Sequence, residues 1–312
     1  MLKLVLGLLL ALIVAPLGAA ASEPTRVSLA TATPGGGFPL FGDAAAAVIN
    51  AVDPTLKVVT QNTKGSSENL FLLEKGTVDF ALVAGVPAYE AFEGIRRAKT
   101  SARVVSVIYA SFGMFAVKAD SPARSTRDLV GQSVAWGTGD SGLTTIGRYA
   151  MEGLGLDAEK DFKAVFLEKA GDGPPMLADG RVAAVWGGGI GWPSFTRITA
   201  GGGRLIGFSE SEVERIVARH PFLSPMTLPP GSYANQQEPV ATVGTWSYLL
   251  ARADLSDDIV YRVAKALHAG NEQLVARVEQ ARQTMPEVTA AAVRDRSRLH
   301  PGALRYLVEI GK

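Results

Sequence analysis

Three glycine-rich turns, each set between a strand pattern and a helix pattern, constrain this chain more than any other feature. The first reads Thr33-Pro-Gly-Gly-Gly-Phe-Pro-Leu-Phe-Gly42 and leads into an alanine-rich run. The second reads Thr63-Lys-Gly-Ser-Ser-Glu-Asn-Leu70, and the third Trp136-Gly-Thr-Gly-Asp-Ser-Gly142. A helix N-terminus carries unpaired N–H groups and partial positive charge, so it suits an anion without a charged side chain. Three of them in one chain predict a cleft for a small carboxylate.

The strands between these turns alternate with helices. Arg26-Val-Ser-Leu-Ala30, Leu56–Gln61 and Val78–Val83 read as strands, and the glycine turns open helices over about 42–52 and 67–75. This βαβαβ order predicts a parallel sheet whose ligands sit beyond the C-terminal strand ends. Val104–Ala110 and Met114–Lys118 read as two further strands. A second βα series follows: a strand at Ser133–Trp136, a helix over 141–153, and strands at Ala164–Leu167 and Val182–Trp186. Pro221–Pro239 reads as a proline-rich loop, Val240–Ala251 as a β-branched strand, and Ser256 as the N-cap of an amphipathic helix. Two α/β series joined by extended strands predict two lobes. Residues 22–115 and 247–312 form lobe 1 and residues 116–246 form lobe 2, with a cleft between them.

Met1 to about Ala21 has a positively charged start, an apolar run from Leu4 to Pro16 and a small-residue end at Ala19-Ala20-Ala21. This is the pattern of a secretory signal peptide, residues 1–21, with Ser22 as the mature start and a periplasmic destination. The formal net charge of +1 argues against nucleic acid or an anionic membrane as partner. With no cysteine and three histidines, His220, His268 and His300, far apart in sequence, neither thiol chemistry nor a metal site is expected. No Gly-x-Ser-x-Gly elbow or placed carboxylate pair marks a catalytic centre, so no catalytic residue and no cofactor is assigned.

The candidate ligand-binding residues follow from the turns. Gly36 and Gly37 let the backbone approach a ligand, and Phe38 supplies an apolar wall or packs into the core. One of Ser66 and Ser67 caps the second helix and Ser66 is a candidate contact. Asn69 donates to the ligand or braces the first turn. Gly137, Ser141, Gly142 and Leu143 form an oxyanion cradle. Trp136, Trp186 and Trp192, with Gly188, adjoin glycine-rich strand ends and line the cleft or the core. Arg148 lies on the following helix and reads as an exposed ion-pair partner. Gly137-Thr-Gly-Asp-Ser-Gly142 also matches the dinucleotide fingerprint G-x-G-x-x-G, which keeps a secreted α/β oxidoreductase open as an alternative.

Taken in order, Pro34-Gly-Gly-Gly-Phe-Pro-Leu-Phe-Gly42, Gly65-Ser-Ser-Glu-Asn-Leu70, Ser141-Gly142 and Leu299-His-Pro-Gly-Ala-Leu-Arg-Tyr306 resemble the TAXI family. These are the extracytoplasmic solute receptors of tripartite ATP-independent periplasmic (TRAP) transporters. The resemblance implies a type II periplasmic binding-protein fold of two lobes, each a mainly parallel sheet flanked by helices. It also implies a monomer that captures a small organic acid or amino acid and delivers it to a TRAP membrane permease of fused large and small subunits. A solute-binding protein of an ATP-driven importer is the neighbouring alternative. Gly37-Phe38, Asp140 and Leu143-Thr144 depart from the family pattern and remove hydroxyls and one carboxylate from the expected pocket.

Overall fold

The computed structural model describes residues 23–312. The expected signal peptide and Ser22 lie outside the described residues. Ten strands and eleven α-helices follow in order: β1 (Thr25–Ala30), α1 (Gly37–Val52), β2 (Leu56–Gln61), α2 (Ser66–Glu74), β3 (Phe80–Ala84), α3 (Gly85–Glu93) and β4 (Arg103–Val117). Then come β5 (Ser133–Gly137), α4 (Gly142–Gly153), β6 (Lys163–Phe166), α5 (Gly173–Ala178), β7 (Ala184–Gly187), α6 (Pro193–Ala200), β8 (Arg204–Ile206), α7 (Glu210–Arg219) and β9 (Ser224–Leu228). The chain closes with β10 (Val240–Ala251), α8 (Asp257–Ala269), α9 (Asn271–Val275), α10 (Pro286–Ala292) and α11 (Pro301–Glu309).

All ten strands share one mixed α/β sheet with the main order β2-β1-β3-β10-β4-β7-β5-β6, β9 pairing with β10 and β8 with β4. Parallel pairing is confined to two outer trios, β2-β1-β3 and β7-β5-β6. Between them the long strands β4 and β10 run antiparallel to each other and to their neighbours. The parallel character expected for each lobe thus belongs to the trios, and antiparallel strands join them.

β4 is where the sequence reading differs most. Two strands broken around residues 111–113 were expected, but a single strand of 15 residues runs through. Gly113 carries the continuity: a Cβ there would lie 2.1 Å from the Trp186 ring. The glycine seats an indole rather than turning the chain. The proline-rich stretch 221–239 likewise contains β9, whose Pro225 stands opposite Val243. An edge strand tolerates proline because one side of its backbone has no ladder to complete.

Buried hydrophobic side chains fall into three clusters. One, including Val27, Phe41, Leu82, Ile108, Leu250 and Leu267, belongs to the half that holds the C-terminal end and residues up to Tyr109. The other two pack on either face of the middle segment's strands: Phe115, Trp136, Trp186 and Ile216 on one, and Met114, Val185, Trp192 and Phe195 on the other. Helix starts obey local chemistry unevenly. Ser209 and Glu212 cap α7 reciprocally, and Ser141 Oγ accepts the Leu143 amide 3.2 Å away at the start of α4. Ser256 stands at the N-cap of α8 without a side-chain bond, and Gly65, not a serine, stands at the N-cap of α2.

Candidate functional site

The three glycine turns meet. The starts of α1, α2 and α4 surround a cavity of about 70 Å3, together with Tyr109 and Ser111 of β4 and Gln280. The amides of Gly37 and Phe38 find no acceptor among the described residues, and Pro39 has no N–H. At α4 the Gly142 amide is also unpaired, while that of Leu143 is held by Ser141 Oγ. Main-chain donors therefore reach the cavity from two directions.

Of the thirteen expected contact residues, Gly36, Gly37, Phe38 and Ser66 line this cavity from one half of the molecule. Trp136, Gly137, Ser141, Gly142, Leu143, Trp186, Gly188 and Trp192 line it from the other. Asn69 does not. Its amide nitrogen donates to the carbonyls of Thr31 and Leu82, each 2.7 Å away, and its oxygen accepts from Thr63 Oγ1 at 2.7 Å. It is a brace between β1, β3 and the second turn, with no polar atom left for a ligand. Ser66 does not cap α2 either; its Oγ accepts the Ala84 amide at 3.1 Å. Arg148 pairs with Glu159 at 3.1 Å on the surface.

The tryptophans differ from one another. The Trp186 indole N–H donates to the Leu143 carbonyl at 2.7 Å, so this ring both walls the cavity and pins the first turn of α4. Trp136 packs against Phe115, Phe162 and Trp186 at centroid distances of 5.3–5.5 Å, yet its indole N–H is buried without an acceptor. Gln280 is also orphaned at one end. Its Nε2 donates to the Ile190 carbonyl, which fixes that end as nitrogen, and its Oε1 is buried without a donor.

Tyr109, Ser111 and Gln280 were missed by the sequence reading. Tyr109 and Ser111 are two apart on β4 and so share a face, a periodicity that could have marked them. Burial pushes the Tyr109 hydroxyl's pKa well above its usual value, so it stays neutral. Gln280 lies on a short 3-10 turn, Glu279–Gln283, and nothing local distinguishes it.

The cavity is capped by contacts between the two halves. Thr138 Oγ1 donates to the Lys64 carbonyl at 3.2 Å and the Ser67 amide to the Asp140 carbonyl at 3.3 Å. On the other side the Ala170 amide donates to Thr33 Oγ1 at 3.1 Å and the Gly171 amide to the Pro34 carbonyl at 3.4 Å. Glycine makes this approach possible. A Cβ on Gly35 would lie 2.6 Å from Gly171 Cα, and one on Gly65 2.8 Å from the Asp140 oxygen. Both residues have positive φ, +84° and +130°, which only glycine adopts readily.

Among the described residues, Lys64 is the only Lys, Arg, His, Asp or Glu lining the cavity, and it is largely exposed. No group of three His, Asp or Glu there could hold a metal. Two of the histidines, His268 and His300, make contacts within the fold. His300 Nδ1 accepts the Gly302 amide at the start of α11, and His268 Nε2 lies 3.0 Å from Ser106 Oγ. Burial lowers the pKa of both.

A model of the NMT1-like family matches residues 29–311. The chain belongs to the NMT1-like family. Solved structures share its fold at low identity. The aliphatic sulphonate binding protein SsuA from Escherichia coli is 17% identical, with a TM-score of 0.51, over 92% of this chain and 84% of that one. SsuA from Xanthomonas axonopodis pv. citri bound to MOPS is 16% identical, with a TM-score of 0.52, over 92% and 85%. A structure described as a periplasmic transporter is 13% identical with a TM-score of 0.58, over 90% and 99%. The fold of this NMT1-like chain is therefore that of the type II periplasmic binding proteins.

Proposed function

We propose that this NMT1-like protein is a periplasmic solute receptor of a transporter, and that it holds a small carboxylate between two lobes, residues 22–115 with 247–312 and residues 116–246. The observation that carries this reading is the convergence of unpaired helix-start amides, from both sides, on a cavity with aromatic walls. Such amides bind an oxyanion without a buried counter-charge. The interlobe bonds at the mouth correspond to a closed state, and β4 and β10 are the strands about which the lobes would hinge. Ligand contacts made only in the closed form would supply the free energy of closure.

The ordered motifs shared with TAXI receptors favour a TRAP permease as partner. A solute-binding protein of an ATP-driven importer is the alternative, and neighbouring genes encoding a permease of fused TRAP subunits would decide between them. An oxidoreductase reading of the 137–142 turn is disfavoured by geometry, because a dinucleotide would require the Lys64–Gly65 turn to leave Asp140. The test is a thermal-shift screen of hydroxy, keto, amino and dicarboxylic acids and alkanesulfonates, on protein refolded to remove any bound guest. A ligand at about 100 times its Kd adds roughly 2.7 kcal/mol of stability, a rise of several degrees in Tm. If no oxyanion raises Tm, the reading fails.

A further inference from the structure

We infer that the guest is a small acid carrying a hydroxyl group and no ammonium group, with Gln280 as the residue that selects for it. This rests on the carboxylate reading of the cavity and narrows it.

Two observations carry the inference. First, no Asp or Glu lines the cavity among the described residues, and its one lysine is largely exposed. The oxyanion end of a guest has helix-start amides to meet it, but an ammonium group would meet no opposite charge among the residues that line the cavity. Trp136 and Trp186 are engaged with each other and with Phe115, which leaves Trp192, Phe38 and Tyr109 as the aromatic faces a cation could meet, and the glycine betaine arm below tests them. Second, Gln280, which lines the cavity and is 5% exposed, carries a buried acceptor, Oε1, with no donor. A hydroxyl group donates to it; a methylene does not. Gln280 belongs to the half with the C-terminal end, and its amide is oriented by the Ile190 carbonyl of the other half. The acceptor is thus aimed only when the halves are together, so it reads the guest in the closed state.

The experiment is isothermal titration of the refolded protein with acids that differ only at C2: lactate, propionate and alanine; mandelate, phenylacetate and phenylglycine; and glycine betaine for the quaternary ammonium case. The expected result is a hydroxy acid at least tenfold tighter than its deoxy partner and at least a hundredfold tighter than its amino partner, in whichever series binds. Gln280→Leu should erase the hydroxy-over-deoxy preference, read as the ratio of the two affinities within the variant, while both acids bind more weakly because the contact with the Ile190 carbonyl is lost. Gln280→Glu, nearly the same shape, supplies the missing carboxylate and should reverse the order toward the amino acid. Tightest binding by alanine, phenylglycine or glycine betaine in the unaltered protein overturns the inference while leaving the carboxylate reading intact. So does a hydroxy preference that survives Gln280→Leu. If no carboxylate in the screen or these series binds, the carboxylate reading itself falls, and this inference with it.

Discussion

Truncating Asn69 would leave the carbonyls of Thr31 and Leu82 buried without donors, since its amide nitrogen serves both. An unmet buried polar group costs about 1–3 kcal/mol. Asn69→Ala is therefore expected to lower unfolding stability by about 2–4 kcal/mol, measured by chemical denaturation, while ligand affinity of the remaining folded protein changes less than threefold. A direct ligand contact would show the opposite pattern, a large loss of affinity with little loss of stability. Position in sequence could not separate these outcomes. Asn69 sits in the first turn of α2, where side chains reach either the ligand or the neighbouring strand ends, and only the register of β1 and β3 puts two carbonyls within its reach.

At the scale of elements, the C-terminal end of α1 is tied to α8 by Asp53 and Arg262, with Nε to Oδ2 at 2.8 Å and Nη2 to Oδ1 at 3.2 Å. The guanidinium's hydrogen bonds hold the Asp53 carboxyl down to about 2 from its ordinary 3.8. A carboxylate whose pKa is lower in the folded state stabilises fully above its unfolded pKa and loses that contribution as pH falls through the folded value. The window is therefore pH 4 to 2, and the pair, only partly exposed, contributes about 1–2 kcal/mol. Arg262→Gln should be less stable than the parent by that amount at pH 6. In denaturation series the gap should close as pH approaches 2; a gap independent of pH would show that packing, not charge, makes the contact.

The glycine turns were legible because three consecutive features agree at each: a strand pattern, residues without Cβ, and a helix pattern. Their meeting at one cavity followed from parallel-sheet topology, which puts strand ends on one side. Gly113 misled because a glycine inside a strand reads equally as a break and as a seat for a ring, and the ring that needs it, Trp186, is 73 positions away in sequence (186 − 113). Gln280 was invisible for a similar reason. Its partner Ile190 lies in the other half of the molecule, and a glutamine on a short 3-10 turn is ordinarily a surface residue.

On the scale of the whole molecule, closure depends on two places where backbones nearly touch, Gly35 on Gly171 and Gly65 on Asp140. Gly35→Ala and Gly65→Ala place a methyl group in each contact and should hold the halves apart. We expect at least a tenfold weaker Kd for the tightest acid in the screen, with a larger radius of gyration in solution scattering when ligand is present. Alanine at positive φ also strains the backbone by about 1–2 kcal/mol. Gly76→Ala separates the two effects, because Gly76 has φ +67° and nothing within 4 Å of its added Cβ. It should lose stability through backbone strain alone, less than Gly65→Ala, whose φ of +130° and ψ of −158° suit essentially only glycine, and keep its Kd. Equal affinity in all three variants would mean that the near-contacts are incidental to binding.

The four hydrogen bonds that cap the cavity each involve at least one peptide group, the carbonyls of Lys64, Asp140 and Pro34 and the amides of Ser67, Ala170 and Gly171, while beside them Tyr149 Oη donates to Glu90 Oε1 between two side chains. A clasp made of peptide groups is indifferent to most amino-acid replacements, whereas the walls behind it are side chains. Proteins built this way can exchange one cargo for another by altering Gln280 or the aromatic residues and keep the same clasp, so cargo is free to diverge while the closing motion stays fixed.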